Sequence, residues 1–228
     1  MGGTGYLSSS DTRTAVKPTS DGSDRDKCVY IMAKRLFDII FSLISLSFLL
    51  PFLATIAIAI IIDDFGDPFF IQSRVGKNGV IFNMIKFRSM YKNAEILRLS
   101  LEPQNLIKDG PIFKIKNDPR VTRVGRILRK TSLDELPQFI NILAGSMSVV
   151  GPRPLIPDEQ AKCTAVEANR LNITPGLTGL WQVSGRNDTT FREMMEFDLQ
   201  YLHERCFFLD IKIIWKTVGA VLQSKGAY

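Results

Sequence analysis

Two adjacent carboxylates, Asp134 and Glu135, follow a stretch of the chain that is rich in basic residues. The seven bases before them are Lys114, Lys116, Arg120, Arg123, Arg126, Arg129 and Lys130, with Asp118 as the acid among them. Carboxylates beside a concentrated positive field suit chemistry on an anionic substrate, as nucleophile, base or metal ligands. A structural interpretation competes with this one, because Ser132 and Glu135 have the spacing of a helix capping box. The surroundings of the pair therefore have to decide between chemistry and helix capping.

The overall charge indicates which partners to expect. The chain has 228 residues, a net charge of +6 and a pI of about 9.3. Bases and acids balance over residues 1–33, so the positive excess lies in residues 34–228. A basic body favours phosphates, nucleic acid or an acidic membrane surface as partners. Three scattered cysteines and one histidine, His203, argue against a disulfide framework, a zinc site or a Ser-His mechanism.

An apolar segment precedes this basic body. Residues 39–62 are 24 residues without a charge, which is long enough to span a bilayer. Pro51 lies in the middle of the segment, where it removes one helical hydrogen bond. Bases flank both ends, so the distribution of charge gives no clear orientation. From these residues alone, a spanning helix and a kinked hairpin that enters and leaves by the same face remain equally good interpretations.

The remaining elements predict an α+β fold, mostly helical with a small β element. Residues 1–30 are polar and predict a disordered tail. Residues 69–79 predict a strand and a turn, with Asn78-Gly79 as the turn signal, and further strands are expected at residues 80–90 and 111–115. The expected helices lie at residues 89–99, 119–130, 191–206 and 210–222, together with a central helix that is capped by Ser132 or Asp134 and stops at Gly145. Two of these helices, 119–130 and 210–222, have the amphipathic pattern of helices at a membrane interface, although a solvated or packed face fits equally well.

Several motifs along the chain occur in an order that is specific in combination. They are Lys34-Arg35-x-x-Asp38, the proline-interrupted apolar segment, Lys86-Phe87-Arg88-Ser89-Met90, Arg129-x-x-x-x-Asp134-Glu135-Leu136-Pro137-Gln138, Gly151-Pro152-Arg153-Pro154 and residues 179–187. From Lys34 to the C-terminus the sequence resembles the bacterial sugar transferases, the monotopic polyprenyl-phosphate phosphoglycosyl transferases. It is most similar to the small members that initiate exopolysaccharide synthesis with galactose-1-phosphate. One departure is Leu50-Pro51, where many members have Ser-Pro.

The resemblance implies a reaction and an architecture. A UDP-sugar gives its sugar-1-phosphate to undecaprenyl phosphate with Mg²⁺, and UMP is released. Residues 31–62 then form a membrane-inserted helical hairpin broken at Pro51, and residues 63–228 form a cytoplasmic catalytic domain. The implied location is the inner (cytoplasmic) membrane of a bacterium, with the catalytic domain on its cytoplasmic face. The resemblance leaves open which hexose is transferred and whether the protein forms a homo-oligomer.

The resemblance also assigns roles to individual residues. Asp134 is the expected nucleophile, and Glu135 holds Mg²⁺ or positions the reacting phosphate; either carboxylate could ligate the metal. The expected phosphate and substrate contacts are Arg129, Arg153, Lys86 and Arg88. Lys34 and Arg35 are expected to meet lipid headgroups.

Other classes of function fit the sequence less well. A glycosidase needs two carboxylates on opposite sides of a sugar, whereas neighbours on a helix point about 100° apart. A nucleic-acid-binding protein would explain the bases but not the uncharged segment, so no nucleic-acid partner is expected. A non-catalytic membrane scaffold would leave the ordered motifs without an explanation.

Overall fold

Helix α1, Asp21–Asp63, is the longest element of the computed structural model and contains the whole apolar segment. At about 1.5 Å per residue it is roughly 65 Å long. The structure describes residues 21–94, 96–101, 103, 105, 115, 117–184 and 189–222. Within those ranges α1 is the one helix that is long and apolar enough, by length and composition, to cross a membrane.

The other elements are short and follow α1 in chain order. The strands are β1 Phe69–Val75, β2 Ile81–Phe87, β3 Ser148–Val150 and β4 Gly176–Thr178. The helices are α2 Arg98–Leu101, α3 Arg123–Thr131, α4 Gln138–Ala144, α5 Pro157–Gln160, α6 Leu180–Ser184, α7 Phe191–Glu204 and α8 Phe207–Leu222. The predicted class, mostly helical α+β, is confirmed.

One face of α1 packs on the rest of the chain at both ends of the apolar segment. Near its start, Arg35 donates hydrogen bonds of 2.6 and 2.8 Å to two backbone carbonyls at the C-terminal end of α4. The buried Asp38 carboxylate accepts a 2.9 Å hydrogen bond from the backbone N–H of Val149. At the far end, Asp63 accepts a 2.9 Å hydrogen bond from the N–H of Val124. The same folded body therefore holds both ends of the segment.

The opposite face of α1 is apolar and uncovered. Its exposed side chains include Leu36, Ile40, Leu43, Ile44, Phe48, Leu50, Ile58 and Ile62. On the packing face, by contrast, Ser42, Ile56 and Ile60 are buried against the body. A large, continuous apolar face of this kind marks an interaction surface, and a lipid phase is the environment that suits its composition.

Two small sheets organise the body. Strands β1 and β2 form an antiparallel hairpin in which Phe69 pairs with Phe87 and Val75 with Ile81. Its turn places Asn78 and Gly79 at φ 57° and 78°. Both residue types tolerate positive φ, so the sequence prediction of this hairpin is confirmed. Strands β3 and β4 pair in parallel, and α4, α7 and α8 pack their apolar residues around them, with Phe139, Ile142, Val149, Tyr201 and Ile213 in the core.

Expectations for the N-terminal tail and for residues 89–99 differ from the structure in the described part of the chain. Residues 21–30 belong to α1, so the expected disordered tail is wrong there; residues 1–20 lie outside the described residues. The helical assignment of α1 runs through Pro51, and the membrane-inserted hairpin expected at residues 31–62 stays a prediction. A proline removes one helical hydrogen bond, the one to the carbonyl four residues earlier, so a helix can continue through it with a bend.

The second difference concerns residues 89–99, where a helix was expected. Among the described residues of this region, only those of α2, Arg98–Leu101, are helical. Met90 instead forms an antiparallel bridge with Val121, and the Ser89 carbonyl accepts a 3.1 Å hydrogen bond from the N–H of Thr122. Pairing with a distant segment therefore overrides local helix propensity here. Of the strand expected at residues 111–115, residues 111–114 lie outside the described part.

The two amphipathic helices expose charged and apolar side chains together. On α3, Arg123, Arg126, Ile127 and Lys130 are exposed. On α8, Trp215, Val218, Lys212 and Lys216 are exposed, whereas Ile213 is buried. The buried side of α8 is therefore centred on Ile213, and Trp215 and Val218 lie away from the core.

Candidate active site

The acid pair lies in a single helical turn between α3 and α4. Ser132 has φ 57°, which ends α3, and its side chain makes no capping hydrogen bond. The capping box suggested by the sequence is therefore absent. Residues 133–135 form a 3₁₀ turn, Pro137 leads into α4, and Gly145 at φ 87° ends α4 where the sequence predicted. Asp134 and Glu135 thus lie in a tight turn between α3 and α4 that the Ser132 side chain does not cap.

Glu135 faces two of the predicted phosphate-binding bases. Its Oε1 atom is 3.7 Å from Lys86 Nζ and 3.8 Å from Arg153 Nη1. Lys86 comes from β2, and Arg153 comes from the loop that follows β3. These are ion-pair distances that exceed hydrogen-bond lengths, so the donors keep hydrogen-bonding capacity for a ligand. The structure therefore brings together three predicted site residues from three separate parts of the chain.

Burial and neighbouring charges act strongly on the Asp134 carboxyl group. Burial, followed by the adjacent negative charge of Glu135, raises the pKa of Asp134 to about 6, against the opposing effect of Lys86 and Arg129. Burial also lowers the pKa of Arg129, while Asp134 acts in the opposite direction. Arg129 is therefore electrostatically coupled to the predicted nucleophile. A desolvated carboxylate beside cations is typical of a functional site.

A small cleft opens beside the pair; we call it the acid-pair cleft. Lys86, Glu135, Gln138 and Arg153 line it, with apolar walls from Met84 and Leu177. Because two cations and one carboxylate share this cleft, it suits a phosphate oxygen held by the cations near the carboxylates.

Two buried arginines that the sequence analysis did not select hold the Arg153 loop. Arg170 donates hydrogen bonds to the backbone carbonyl of Arg153 and to Asp198, whose Oδ2 is 2.6 Å from Arg170 Nη2. Arg74 donates a 3.0 Å hydrogen bond to the backbone carbonyl of Pro154. Single arginines far apart in sequence give no motif, so only their shared contact with this loop identifies their role. The Arg153 side chain also lies over the Trp181 ring, 5.9 Å from its centroid.

We expect Arg170→Met to unfold the protein more easily, because it leaves the Asp198 carboxylate buried without its partner. Arg170 and Asp198 are 2% and 1% exposed, and removing one partner of such a pair costs about 3–5 kcal/mol. Thermal unfolding in detergent measures the effect. Arg192→Met on the exposed side of α7 is the matched control and should unfold like the wild type. Equal melting temperatures for the Arg170 and Arg192 variants would contradict this.

The remaining predicted site residues have intramolecular partners. Arg88 is buried and lies 3.5 Å from Asp64 at the end of α1, away from the residues that line the acid-pair cleft. Lys34 donates a 2.8 Å hydrogen bond to Asp210, and Arg35 binds the end of α4. Headgroup contact by Lys34 and Arg35 stays a prediction, and the structure adds an internal role for both. Of residues 179–187, residues 185–187 lie outside the described part.

The donor set fits a hard divalent cation only in combination with substrate. Among the described residues there is no group of three or more carboxylate, histidine or cysteine side chains that could hold a metal. Asp134 and Glu135 supply two adjacent carboxylates whose mutual repulsion a cation would relieve. Mg²⁺ is commonly bound by one or two carboxylates together with substrate phosphates. The pair therefore fits Mg²⁺ held largely by a diphosphate.

Residues 29–224 match the model of the family described as bacterial sugar transferase. The chain belongs to this family. It is 45% identical over 202 residues to the galactosyl transferase CpsE of Streptococcus agalactiae, covering 88% of this chain and 44% of that protein. It is 42% identical over 200 residues to the exopolysaccharide production protein ExoY of Rhizobium meliloti, covering 86% and 88%.

A third similar sugar transferase is the undecaprenyl-phosphate galactose phosphotransferase of Salmonella typhimurium. The identity is 44% over 199 residues, which cover 86% of this chain and 41% of that protein. The chain thus spans less than half the length of two of these relatives and most of ExoY. The resemblance inferred from the motifs is confirmed at the level of the family.

Proposed function

We propose that this sugar transferase moves a hexose-1-phosphate from a UDP-sugar to undecaprenyl phosphate, releasing UMP, as the first step of exopolysaccharide synthesis. The observation that carries the proposal is the convergence of Glu135 with Lys86 and Arg153 in one cleft, next to Asp134, whose pKa burial raises to about 6. The names of the related proteins support undecaprenyl phosphate as the acceptor and galactose as the sugar. Another hexose remains the second candidate, because no described residue can be matched to one sugar epimer.

The proposed chemistry has two balanced steps. A carboxylate oxygen of Asp134 attacks the phosphorus that carries the sugar, and the bond from that phosphorus to the UMP oxygen breaks. UMP leaves with the electron pair. A phosphate oxygen of undecaprenyl phosphate then attacks the same phosphorus, and the Asp134 carboxylate is released unchanged. A carboxylate nucleophile splits one difficult transfer into two easier ones.

Positioning and charge neutralisation supply most of the catalysis in phosphoryl transfer. Lys86 and Arg153 would hold non-bridging oxygens of the diphosphate, and Arg129 would keep Asp134 ionised for attack. Mg²⁺, held by Glu135 or Asp134 with the diphosphate, would neutralise the charge that develops on departing UMP. Arg88 would act indirectly, because its ion pair with Asp64 ties the end of β2 to the end of α1.

We further propose that α1 is re-entrant in the bacterial inner membrane, with both its ends and the catalytic domain on the cytoplasmic face. Support comes from contacts of one body with Arg35 and Asp38 at one end of the apolar segment and with Asp63 at the other. A simple span would carry one of these ends across the bilayer, away from that body. The exposed apolar face of α1 would then lie in lipid, and the bases on α3 and α8 would meet anionic headgroups.

Single cysteines placed at the two ends of α1 should be labelled from the same side of the membrane. In a cysteine-free variant, Ile31→Cys and Asp67→Cys are both at exposed positions. A membrane-impermeant maleimide should modify both in inside-out vesicles and neither in intact spheroplasts. Pro51→Leu restores the missing helical hydrogen bond and should shift part of the population toward spanning. Labelling of the two positions from opposite sides in the unmodified helix would refute the re-entrant arrangement.

A panel of UDP-sugars with undecaprenyl phosphate tests the proposed function directly. The full-length protein in detergent or nanodiscs should release UMP with at least one UDP-hexose, and UDP-galactose is the expected best donor. A control without acceptor lipid separates turnover from a single-turnover burst. An absence of UMP release with every UDP-sugar, from protein that is folded, would refute the function.

A further inference from the structure

Gln138 is a mostly buried residue whose carboxamide has no hydrogen-bond partner among the described residues. It is only 3% exposed, and none of the hydrogen bonds among the described residues involves its side chain. It lines the acid-pair cleft, and its amide nitrogen and carbonyl oxygen are not among the sealed, unpaired polar atoms, so both open to that cleft. Polar groups in such positions are nearly always hydrogen-bonded, so the partner is to be sought in what occupies the cleft.

The position of Gln138 relative to the acid pair is set by local backbone geometry. The N–H of Leu136 donates to the Leu133 carbonyl, and the N–H of Phe139 donates to the Leu136 carbonyl. Both hydrogen bonds join residues three apart, as in a 3₁₀ helix. Side chains three residues apart lie above one another in such a turn. Glu135 and Gln138 therefore share one side, and the carboxamide lies within one turn of the predicted nucleophile Asp134.

The chemistry of the cleft indicates which part of a ligand would bind Gln138. Lys86 and Arg153 provide cations for phosphoryl oxygens, which only accept hydrogen bonds. A carboxamide is neutral and both donates and accepts, which matches a hydroxyl group better than a phosphate. In a nucleotide sugar, the hydroxyls close to the attacked phosphorus belong to the sugar.

We propose that the Gln138 carboxamide hydrogen-bonds a hydroxyl of the sugar whose phosphate is transferred, an inference that rests on the proposed function. Gln138 is then a substrate-contacting residue that contributes to sugar selection. A sugar lacking that hydroxyl should therefore be a poor substrate, because the amide would stay unsatisfied in the complex.

The test combines a variant of Gln138 with deoxy analogues of the active UDP-hexose. Gln138→Met keeps the length of the side chain and removes its hydrogen bonds. We expect kcat/KM for the full sugar to fall about 10- to 100-fold. For the wild type, kcat/KM should fall by a similar factor on the one mono-deoxy analogue that lacks the contacted hydroxyl. For Gln138→Met, kcat/KM on that analogue should be only slightly lower than on the full sugar. Gln200→Met, at an exposed position of α7, is the matched control and should behave as the wild type throughout.

The outcomes separate this inference from the proposed function. If the loss of kcat/KM caused by Gln138→Met multiplies with the loss caused by every deoxy analogue, Gln138 has no specific hydroxyl partner. An unchanged kcat/KM in Gln138→Met would overturn its role as well. Either result leaves the transferase function intact. Absence of activity in the wild type with all UDP-sugars would refute the function itself. If Gln138→Met melts well below the wild type, Gln138→Asn replaces it, since it keeps the amide but withdraws it by one methylene. Gln138→Asn should then show the same selective coupling to one hydroxyl, and its absence would overturn the proposal.

Discussion

Asp134→Asn is expected to abolish both turnover and the exchange of labelled UMP into UDP-sugar in the absence of lipid. A one-step displacement needs the lipid acceptor before any bond to UMP breaks, whereas a covalent phosphosugar–enzyme does not. The wild type alone with UDP-sugar should therefore release UMP and catalyse the reverse exchange. Asparagine keeps the shape of the side chain but has no nucleophilic charge, so we expect a loss of at least ~10³-fold.

Glu135→Gln is the comparison that separates the two carboxylates. It should slow the reaction about 10²-fold through misalignment of the phosphate or metal while retaining slow exchange. Exchange that persists in Asp134→Asn and vanishes in Glu135→Gln would reverse the two roles. A wild type that turns over but shows no exchange without lipid, with kinetics that require a ternary complex, would exclude the covalent mechanism.

The pH dependence of exchange provides a second readout of the same residue. Burial and the neighbouring Glu135 raise the pKa of Asp134 to about 6, and only the ionised form can attack phosphorus. The rate should therefore be full above that pH and fall about tenfold per unit below it. Glu135→Gln removes one cause of the raised pKa, so its acid limb should move to lower pH. If the acid limb does not move in Glu135→Gln, the pH profile does not report the ionisation of Asp134 beside Glu135.

Removal of divalent metal should reduce turnover at least ~10²-fold, and Mg²⁺ should restore it. Two carboxylates and a diphosphate are hard oxygen ligands of the kind that Mg²⁺ prefers. The measurement is UMP release in excess EDTA, followed by titration with Mg²⁺. In Glu135→Gln, half-maximal activity should require more Mg²⁺, because one ligand or phosphate-positioning group is lost. Full activity of the wild type in excess EDTA would contradict the metal requirement.

His203 serves as a control for the class of mechanism. It is exposed in the last turn of α7 and does not line the acid-pair cleft. His203→Ala should therefore keep wild-type turnover and the same Mg²⁺ dependence. A folded but inactive His203→Ala enzyme would mean that an imidazole takes part, which a carboxylate mechanism does not require.

The sequence by itself determined the features that local chemistry controls. Asn78 and Gly79 fixed the β1–β2 hairpin because few other residues adopt positive φ without strain. Gly145 fixed the end of α4 for the same reason. The ordered motifs around Asp134, Glu135 and Arg153 identified the family, because their combination is specific even though each is weak alone.

Only the tertiary structure decided how these parts meet. Ser89 and Met90 pair with residues 121 and 122, which replaced an expected helix by an extended bridge that no local pattern encodes. The capping box at Ser132 failed because that residue takes a left-handed conformation to end α3. Both outcomes depend on contacts between segments that are distant in sequence or on the path of the chain between two helices.

In the candidate site, too, the sequence determined some features and the tertiary structure decided others. The residue types at Asp134 and Glu135 indicated chemistry, but the ion-pair distances to Lys86 and Arg153 require β2 and the loop after β3 to converge on one turn. The support of that loop by Arg170 was invisible in the sequence, since a lone arginine carries no signal until its buried partners are known. Burial raises the pKa of Asp134, and packing leaves the Gln138 carboxamide open only to the cleft among the described residues; both are properties of the folded chain alone.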